Sequence, residues 1–268
     1  VFAITLLGCS DGNVHKTNML YEAIQKDDIQ SATKLRIVFA HQSVGGNIVE
    51  GVRALAKDNA VNFNIAETQQ PPPTGAGMFH FKIGTNGNPD GKLAEFEKLF
   101  SGNAQENADV AILKLCYIDF TPSTDGAALA GRYIQTIDSL QAKLPHTVFI
   151  PVTAPLTVIQ AGPKAWIKKM LGQQPAGYQE NAQRAAFNAE LRHHFATQRL
   201  FDLAKIEATA ETIPTQFAYA GRQIEALTPA ITSDGGHLNA QGERLLASEL
   251  LKQLVSAASR ATPTTIVQ

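Results

Sequence analysis

The chain has 268 residues, enough for one domain with a full core or at most two small ones. Hydrophobic residues make up 44% and charged residues 18%, the balance of a globular protein. A formal net charge of −1 and no long basic run leave no electrostatic footprint for nucleic acid, so DNA and RNA are set aside as partners.

An apolar run opens the chain and ends at Leu6-Leu7-Gly8-Cys9. It resembles the lipobox of bacterial lipoproteins with the upstream part of the signal peptide missing. Processing there leaves Cys9 as a lipidated first residue, anchored to a membrane and not spanning it. The alternative is an N-terminus that is apolar by accident. No other stretch approaches the ~20 apolar residues of a membrane span. Residues 10–33 are polar and weakly periodic, a tether with room for one short helix.

The first strand is expected over 35–40, followed by a polar turn at Ser43 and a helix to about 57, with Ile48, Val52 and Leu55 at helical spacing. Alternation over 61–65 predicts a second strand. Residues 69–90, with Pro71-Pro72-Pro73, read as a long irregular loop, and such loops are functional or disordered. Leu93, Phe96, Leu99 and Phe100 mark a helix, and 110–117 is an apolar strand interrupted by Lys114. Cys116 reads as a buried apolar residue in that strand, and neither cysteine invites a disulfide. A helix over 129–144, a strand over 147–152 and a short basic amphipathic helix around Trp166 follow. A long helix spans 179–197, a short strand 200–203, and 204–232 is irregular. Asn239 caps a last helix to about 258, and the tail from 259 reads as disordered. The strand–helix alternation argues a parallel sheet with helices on both faces, with ligands bound at the carboxyl ends of the strands. One domain over 34–258 suffices.

Two stretches carry chemistry. In Phe39-Ala40-His41-Gln42-Ser43-Val44-Gly45-Gly46 a hydroxyl falls between a strand and a helix N-terminus, where backbone N–H groups can stabilise an anion. Ser43 also reads as a plain helix cap. In Ser233-Asp234-Gly235-Gly236-His237-Leu238-Asn239 the glycines let the Asp234 carboxylate fold back onto His237, leaving Nε2 to take a proton from a serine. The bland alternative is a surface turn with a solvated histidine. His41 lies beside Ser43, as a pocket residue or, by preference, a satisfied structural one. His193 and His194 read as solvated. There is no His-Glu-x-x-His, no paired Cys-x-x-Cys and no Walker-type loop, so neither a metal nor a cofactor is implied.

These blocks make the chain resemble an atypical branch of the SGNH (GDSL-like) hydrolase superfamily, over roughly 34–255. His41-Gln42-Ser43-Val44-Gly45 stands in the first block, with the usual Gly-Asp-Ser replaced, and Ser233 to Asn239 stands in the last. The resemblance implies a three-layer α/β/α fold with a flavodoxin-like, parallel five-stranded sheet. It also implies an ester hydrolase with Ser43 as nucleophile, His237 as general base and Asp234 as its orienter. The family's Gly-x-Asn-Asp block is here Cys116-Tyr117-Ile118-Asp119, so Ile118 replaces the Asn that helps stabilise the oxyanion. Gly84 (backbone N–H) and Asn86 (side-chain amide) are the expected substitutes, although that stretch also reads as a simple turn cluster. Asp119 is expected to be structural, bonding the loop that holds Ser43. The resulting expectation is an exported, Cys9-anchored esterase of the bacterial envelope, on the periplasmic side or the surface. It would act through an acyl-enzyme on carbohydrate acetyl esters first and lipid esters second. A non-catalytic envelope binding protein and an O-acyltransferase are the rivals.

Overall fold

Arg36–His41 forms β1, and its side chains alternate between two cores: Ile37 and Phe39 enter one, Val38 and Ala40 the other. A strand buried on both faces along its length belongs at the centre of a parallel sheet. The computed structural model describes residues 21–68, 75–101 and 108–261. The expectations attached to Cys9, to residues 10–20, to Pro71-Pro72-Pro73 and to 262–268 lie outside the described residues.

The elements are, in order, α1 (Lys26–Ala32), β1, α2 (Val44–Asp58), β2 (Ile65–Glu67), β3 (Gly77–Lys82), α3 (Pro89–Leu99), β4 (Val110–Leu113) and α4 (Gly126–Lys143). There follow β5 (Val148–Pro151), α5 (Gly162–Met170), α6 (Tyr178–His194), α7 (Leu203–Ala208), the hairpin β6 (Gln216–Tyr219) and β7 (Arg222–Glu225), and α8 (Ala240–Ala261). The main sheet has five strands in the order β2-β3-β1-β4-β5, and every pairing in it is parallel. Residues of α1, α2, α7 and α8 fill one core with Ile37, Phe39, Ile112 and Ile150. Residues of α3, α4 and α6 fill the other with Val38, Ala40, Leu113 and Phe149. This is the expected three-layer α/β/α fold of flavodoxin type.

The strand roster differs from the expected one. Residues 77–82, placed in an irregular loop by the sequence reading, are β3, the neighbour of β1; five of its six residues are buried. Glycine and proline on either side hide a run, Met78-Phe79-His80-Phe81, that is apolar enough for a central strand. Of the expected strand 61–65 only Ile65 pairs, as the start of the edge strand β2. The expected strand 200–203 is reduced to one parallel bridge, Val152 to Phe201, because Asp202 caps α7 and turns the chain into a helix. Residues 204–232, expected to be irregular, contain α7 and the β6–β7 hairpin. The strand expected over 110–117 pairs only to Leu113, and Tyr117–Asp119 turns as a 3-10 helix. Cys116 is buried, as expected, and unpaired. Asn239 caps α8 as expected, its Oδ1 accepting from the N–H groups of Gln241 and Gly242. That helix runs past the expected end to Ala261.

The order reverses at β1: β3 lies on one side, and the chain crosses over to β4 on the other. In such sheets the crevice at the carboxyl end of the reversal strand is where ligands sit. Among the described residues no helix is long and apolar enough to cross a membrane.

Helices α2 and α8 approach closely enough that a Cβ on Gly51 would collide with the carbonyl of Glu243. Gly51→Ala is therefore expected to destabilise the protein by about 1–3 kcal/mol, the usual cost of overpacking, read as a lower urea midpoint at unchanged m-value.

Candidate active site

Ser43 follows β1 directly and precedes the first turn of α2, with φ 52° and ψ −112°. Positive φ is uncommon for a residue other than glycine, and such backbone strain gathers at functional sites. The strain has a visible cause. The helix starts on top of the strand it follows, and a Cβ on Gly45 would strike the His41 side chain. His41 is thus sealed beneath α2, 2% exposed, with Nε2 3.1 Å from His80 Nδ1. Burial, helped by the nearby Lys114, holds its pKa down at about 3, so it is a neutral structural imidazole.

The Asp234–His237 turn reaches the same edge from the far end of the chain. Ser43 Oγ lies 2.6 Å from His237 Nε2, and His237 Nδ1 lies 2.6 Å from Asp234 Oδ2. Asp234 Oδ1 accepts from the backbone N–H groups of Gly236 (2.9 Å) and His237 (2.7 Å). The hydrogen bonds from the His237 backbone and ring, then that from Gly236, hold the Asp234 carboxyl at a pKa of about 2. Gly235, with φ 89°, makes the turn possible. Thr232 fastens the turn from inside, accepting from Gly235 N–H and donating to the His237 carbonyl. Asn47 of α2 bridges the two halves: its Oδ1 accepts from Leu238 N–H at 3.4 Å and its Nδ2 donates to Glu243 of α8 at 2.9 Å.

Tyr117 is the site residue that sequence reasoning passed over. Its hydroxyl lies 3.5 Å from His237 Nε2, the atom that Ser43 Oγ also meets, and its ring stands edge-on to the imidazole. Burial raises its pKa, so the phenol stays a proton donor at neutral pH. The available signal was its position next to Ile118 in the altered block. Ile118 itself is 51% exposed at the end of β4.

Asp119 secures that turn. Its fully buried carboxylate receives Lys92 Nζ at 2.7 and 2.8 Å, Cys116 N–H at 2.7 Å and Gly87 N–H at 2.8 Å. It is structural, as expected, but the loop it holds is 84–88 and not that of Ser43. From the other side Arg184 donates to the Tyr117 carbonyl at 2.9 Å and lies over the phenol ring.

The expected substitute donors sit in that secured loop, beside the end of β1. Gln42 Nε2 donates to the carbonyls of Ile83 and Gly84, which ties the loop to the residue before Ser43. The Gly84 N–H, however, is given to Glu95 Oε2 at 2.8 Å. Asn86 Oδ1 accepts from Lys92 Nζ at 3.1 Å, which leaves its amide N–H groups as donors in the loop, beside those of Thr85 and Asn88. His194 pairs with Asp138 on the surface, away from the triad. Among the described residues no cluster of three His, Cys, Asp or Glu side chains could hold a metal ion.

Breaking a buried ion pair on one side strands the other charge. Asp119→Asn is expected to cost about 3–5 kcal/mol in urea unfolding, and the double variant Asp119→Asn/Lys92→Met clearly less.

No protein-family model and no curated protein sequence matches the chain. Among solved structures it is similar to an acetyl esterase variant with acetate ion, at 11% identity and TM-score 0.45, over 84% of this chain and 99% of that one. It is similar at 11% identity and TM-score 0.45 to a carbohydrate esterase family 3 protein from Talaromyces cellulolyticus, over 84% of this chain and 98% of that one. The periplasmic domain of a lipopolysaccharide acetyltransferase from Salmonella ser. Paratyphi A matches at 12% identity and TM-score 0.40, over 84% and 87%. At these identities the likeness is one of overall arrangement. In its layer order, and in its first and last blocks, the chain resembles the SGNH superfamily.

Proposed function

We propose that the protein is a serine ester hydrolase working through Ser43, His237 and Asp234. One observation carries this reading: an unbroken hydrogen-bond chain, Ser43 Oγ to His237 Nε2 and His237 Nδ1 to Asp234 Oδ2, at the crevice end of β1. A solvated surface histidine has no reason to meet a strained serine 194 residues away.

The chemistry follows from the geometry. Ser43 Oγ attacks the ester carbonyl as His237 Nε2 takes its proton, and Asp234 stabilises the imidazolium that results. The carbonyl oxygen becomes an oxyanion beside the N-terminus of α2, where the Ser43 N–H is the nearest backbone donor. When the ester C–O bond breaks, His237 returns the proton to the departing alcohol. Water then attacks the acyl-enzyme and gives its proton to His237; the Ser43 Oγ–acyl bond breaks, His237 returns that proton to Oγ, and the acid leaves. A sugar hydroxyl in place of that water turns hydrolysis into acyl transfer, so the acyltransferase reading uses the same residues. Because Asp234 stays ionised down to about pH 2, a fall in rate on mild acidification is not its titration.

Tyr117 takes over part of what the family's Asn supplies. Its hydroxyl, which lies beside His237 Nε2 as Ser43 Oγ does, would donate to the oxyanion formed from the ester carbonyl. Asn86 remains a further candidate donor, while Gly84 contributes its carbonyl to the loop's anchorage. The substrates we propose are acetyl or other acyl esters of envelope carbohydrates or lipids, with no cofactor. The lipobox-like Leu6-Leu7-Gly8-Cys9 supports an exported lipoprotein, its 34–258 domain tethered at Cys9 on the periplasmic side or the surface of a bacterial envelope.

Turnover of p-nitrophenyl acetate tests the reading. Ser43→Ala and His237→Ala should each lose roughly four to six orders of magnitude in kcat, as triad removal does elsewhere. Tyr117→Phe should lose roughly a hundredfold, the cost of one transition-state donor. A parent protein no faster than folded Ser43→Ala would leave the binding-protein reading in the lead.

A further inference from the structure

The segment between β5 and α6 carries a helix whose outer face nothing covers among the described residues. In α5, Trp166 is 63% exposed, Ile167 50%, Met170 67% and the adjoining Leu171 68%. At 3.6 residues per turn these four fall within an arc of about 140°, and Ala165, the buried residue of the helix, lies opposite. The helix therefore packs against the body through a small residue and turns its large apolar residues outward. Exposure of one such side chain is ordinary; a contiguous stripe of four is not.

One flank of the stripe, beyond Leu171, is basic. Lys164 and Lys168 border it, and between Asp138 and Glu180 the chain has no acidic residue, although its overall net charge is −1. Gly172, with φ 69°, ends the helix in a left-handed cap, with Gln173 N–H donating to the Lys168 carbonyl at 2.8 Å. Gly162, with φ 76°, precedes it. The stripe is thus presented on a defined short helix.

Its place in the fold matters. α5 leaves from the carboxyl end of β5, the edge that holds Ser43. Val158 N–H donates to the Gly235 carbonyl at 2.9 Å, and Gln160 N–H to the Ala176 carbonyl at 2.9 Å. The base of the α5 segment is therefore pinned to the turn that carries Asp234 and His237.

We propose that α5 is an interfacial docking element that seats this edge of the protein on an anionic lipid bilayer. Tryptophan and aliphatic residues enter the headgroup–acyl boundary, while flanking lysines meet anionic headgroups. A neutral protein or glycan partner matches the apolar stripe but gives the lysines no counterpart. Given the ester-hydrolase reading, on which this consequence rests, the site then meets esters presented at the bilayer surface, which favours lipid-linked substrates.

Trp166 is the only tryptophan in the chain, so its fluorescence reports on α5 alone, whatever residues 1–20 do. The full chain is titrated with phosphatidylglycerol/phosphatidylethanolamine vesicles and, separately, with phosphatidylcholine vesicles, with no ester turnover involved. The expected result is a blue shift of the emission, and quenching by brominated acyl chains, with the anionic vesicles. Lys164→Gln/Lys168→Gln should weaken that binding by roughly 30-fold, from about 1 kcal/mol per lysine. Sedimentation with vesicles without a Trp166 shift would overturn the proposal, because another part of the chain would then be binding. So would equal binding to neutral vesicles, or an emission already blue-shifted without lipid, the sign of a cover from residues 1–20 or a second copy. Activity on p-nitrophenyl acetate in solution is independent of all these outcomes, so failure of the docking element and failure of the hydrolase reading are told apart.

Discussion

The close packing of α2 against α8 is the constraint on which the site depends. Ser43 begins α2 and His237 precedes α8, so the distance between two groups 194 residues apart is set by how two helices meet. Gly51 lets the backbones touch, and Asn47 spans the remaining gap with one hydrogen bond to each side of the junction. Both helices bury their apolar faces in the same core, beside Phe39 and Ile112, so the force that assembles the domain also brings Ser43 and His237 together.

A second support works from the opposite core. The Lys92–Asp119 pair is completely buried, and the carboxylate is shared with the Gly87 and Cys116 N–H groups. A buried ion pair is weak evidence for stability, because desolvation offsets most of its attraction. It is better understood as a specifier of geometry: one carboxylate fixes the 84–88 loop and the Tyr117 turn relative to each other. Arg184 holds the turn from behind, and the Tyr117 hydroxyl comes within 3.5 Å of His237 Nε2, while Ile118 has no polar group to offer.

Much of this was legible in the residues. Strand, serine and helix around position 43 were readable because an apolar run, a polar turn and a helical repeat follow one another without ambiguity. The Asp234–His237 turn was readable because its two glycines allow the backbone to fold the carboxylate back onto the histidine. β3 was missed because proline and glycine dominate the flanking composition, although Met78, Phe79 and Phe81 had announced a buried strand. The stretch 200–203 looked like a strand on apolar content, but Asp202 is a helix cap, and the local signal prevailed over the pattern. Tyr117 could be noticed only by its place beside Ile118, and the engagement of the Gly84 N–H by Glu95 not at all, since both depend on where two loops meet in space. Tertiary contact decides such roles, and no periodicity encodes it.

The central claim is that Ser43 is a nucleophile made reactive by His237. Reaction with a fluorophosphonate, followed by peptide mass mapping, tests it without any assumption about the natural ester. The account predicts a single adduct per chain, on Ser43, formed quickly by the parent and only very slowly by His237→Ala. No adduct on the folded protein, an adduct on another residue, or equal rates in the two proteins would contradict it.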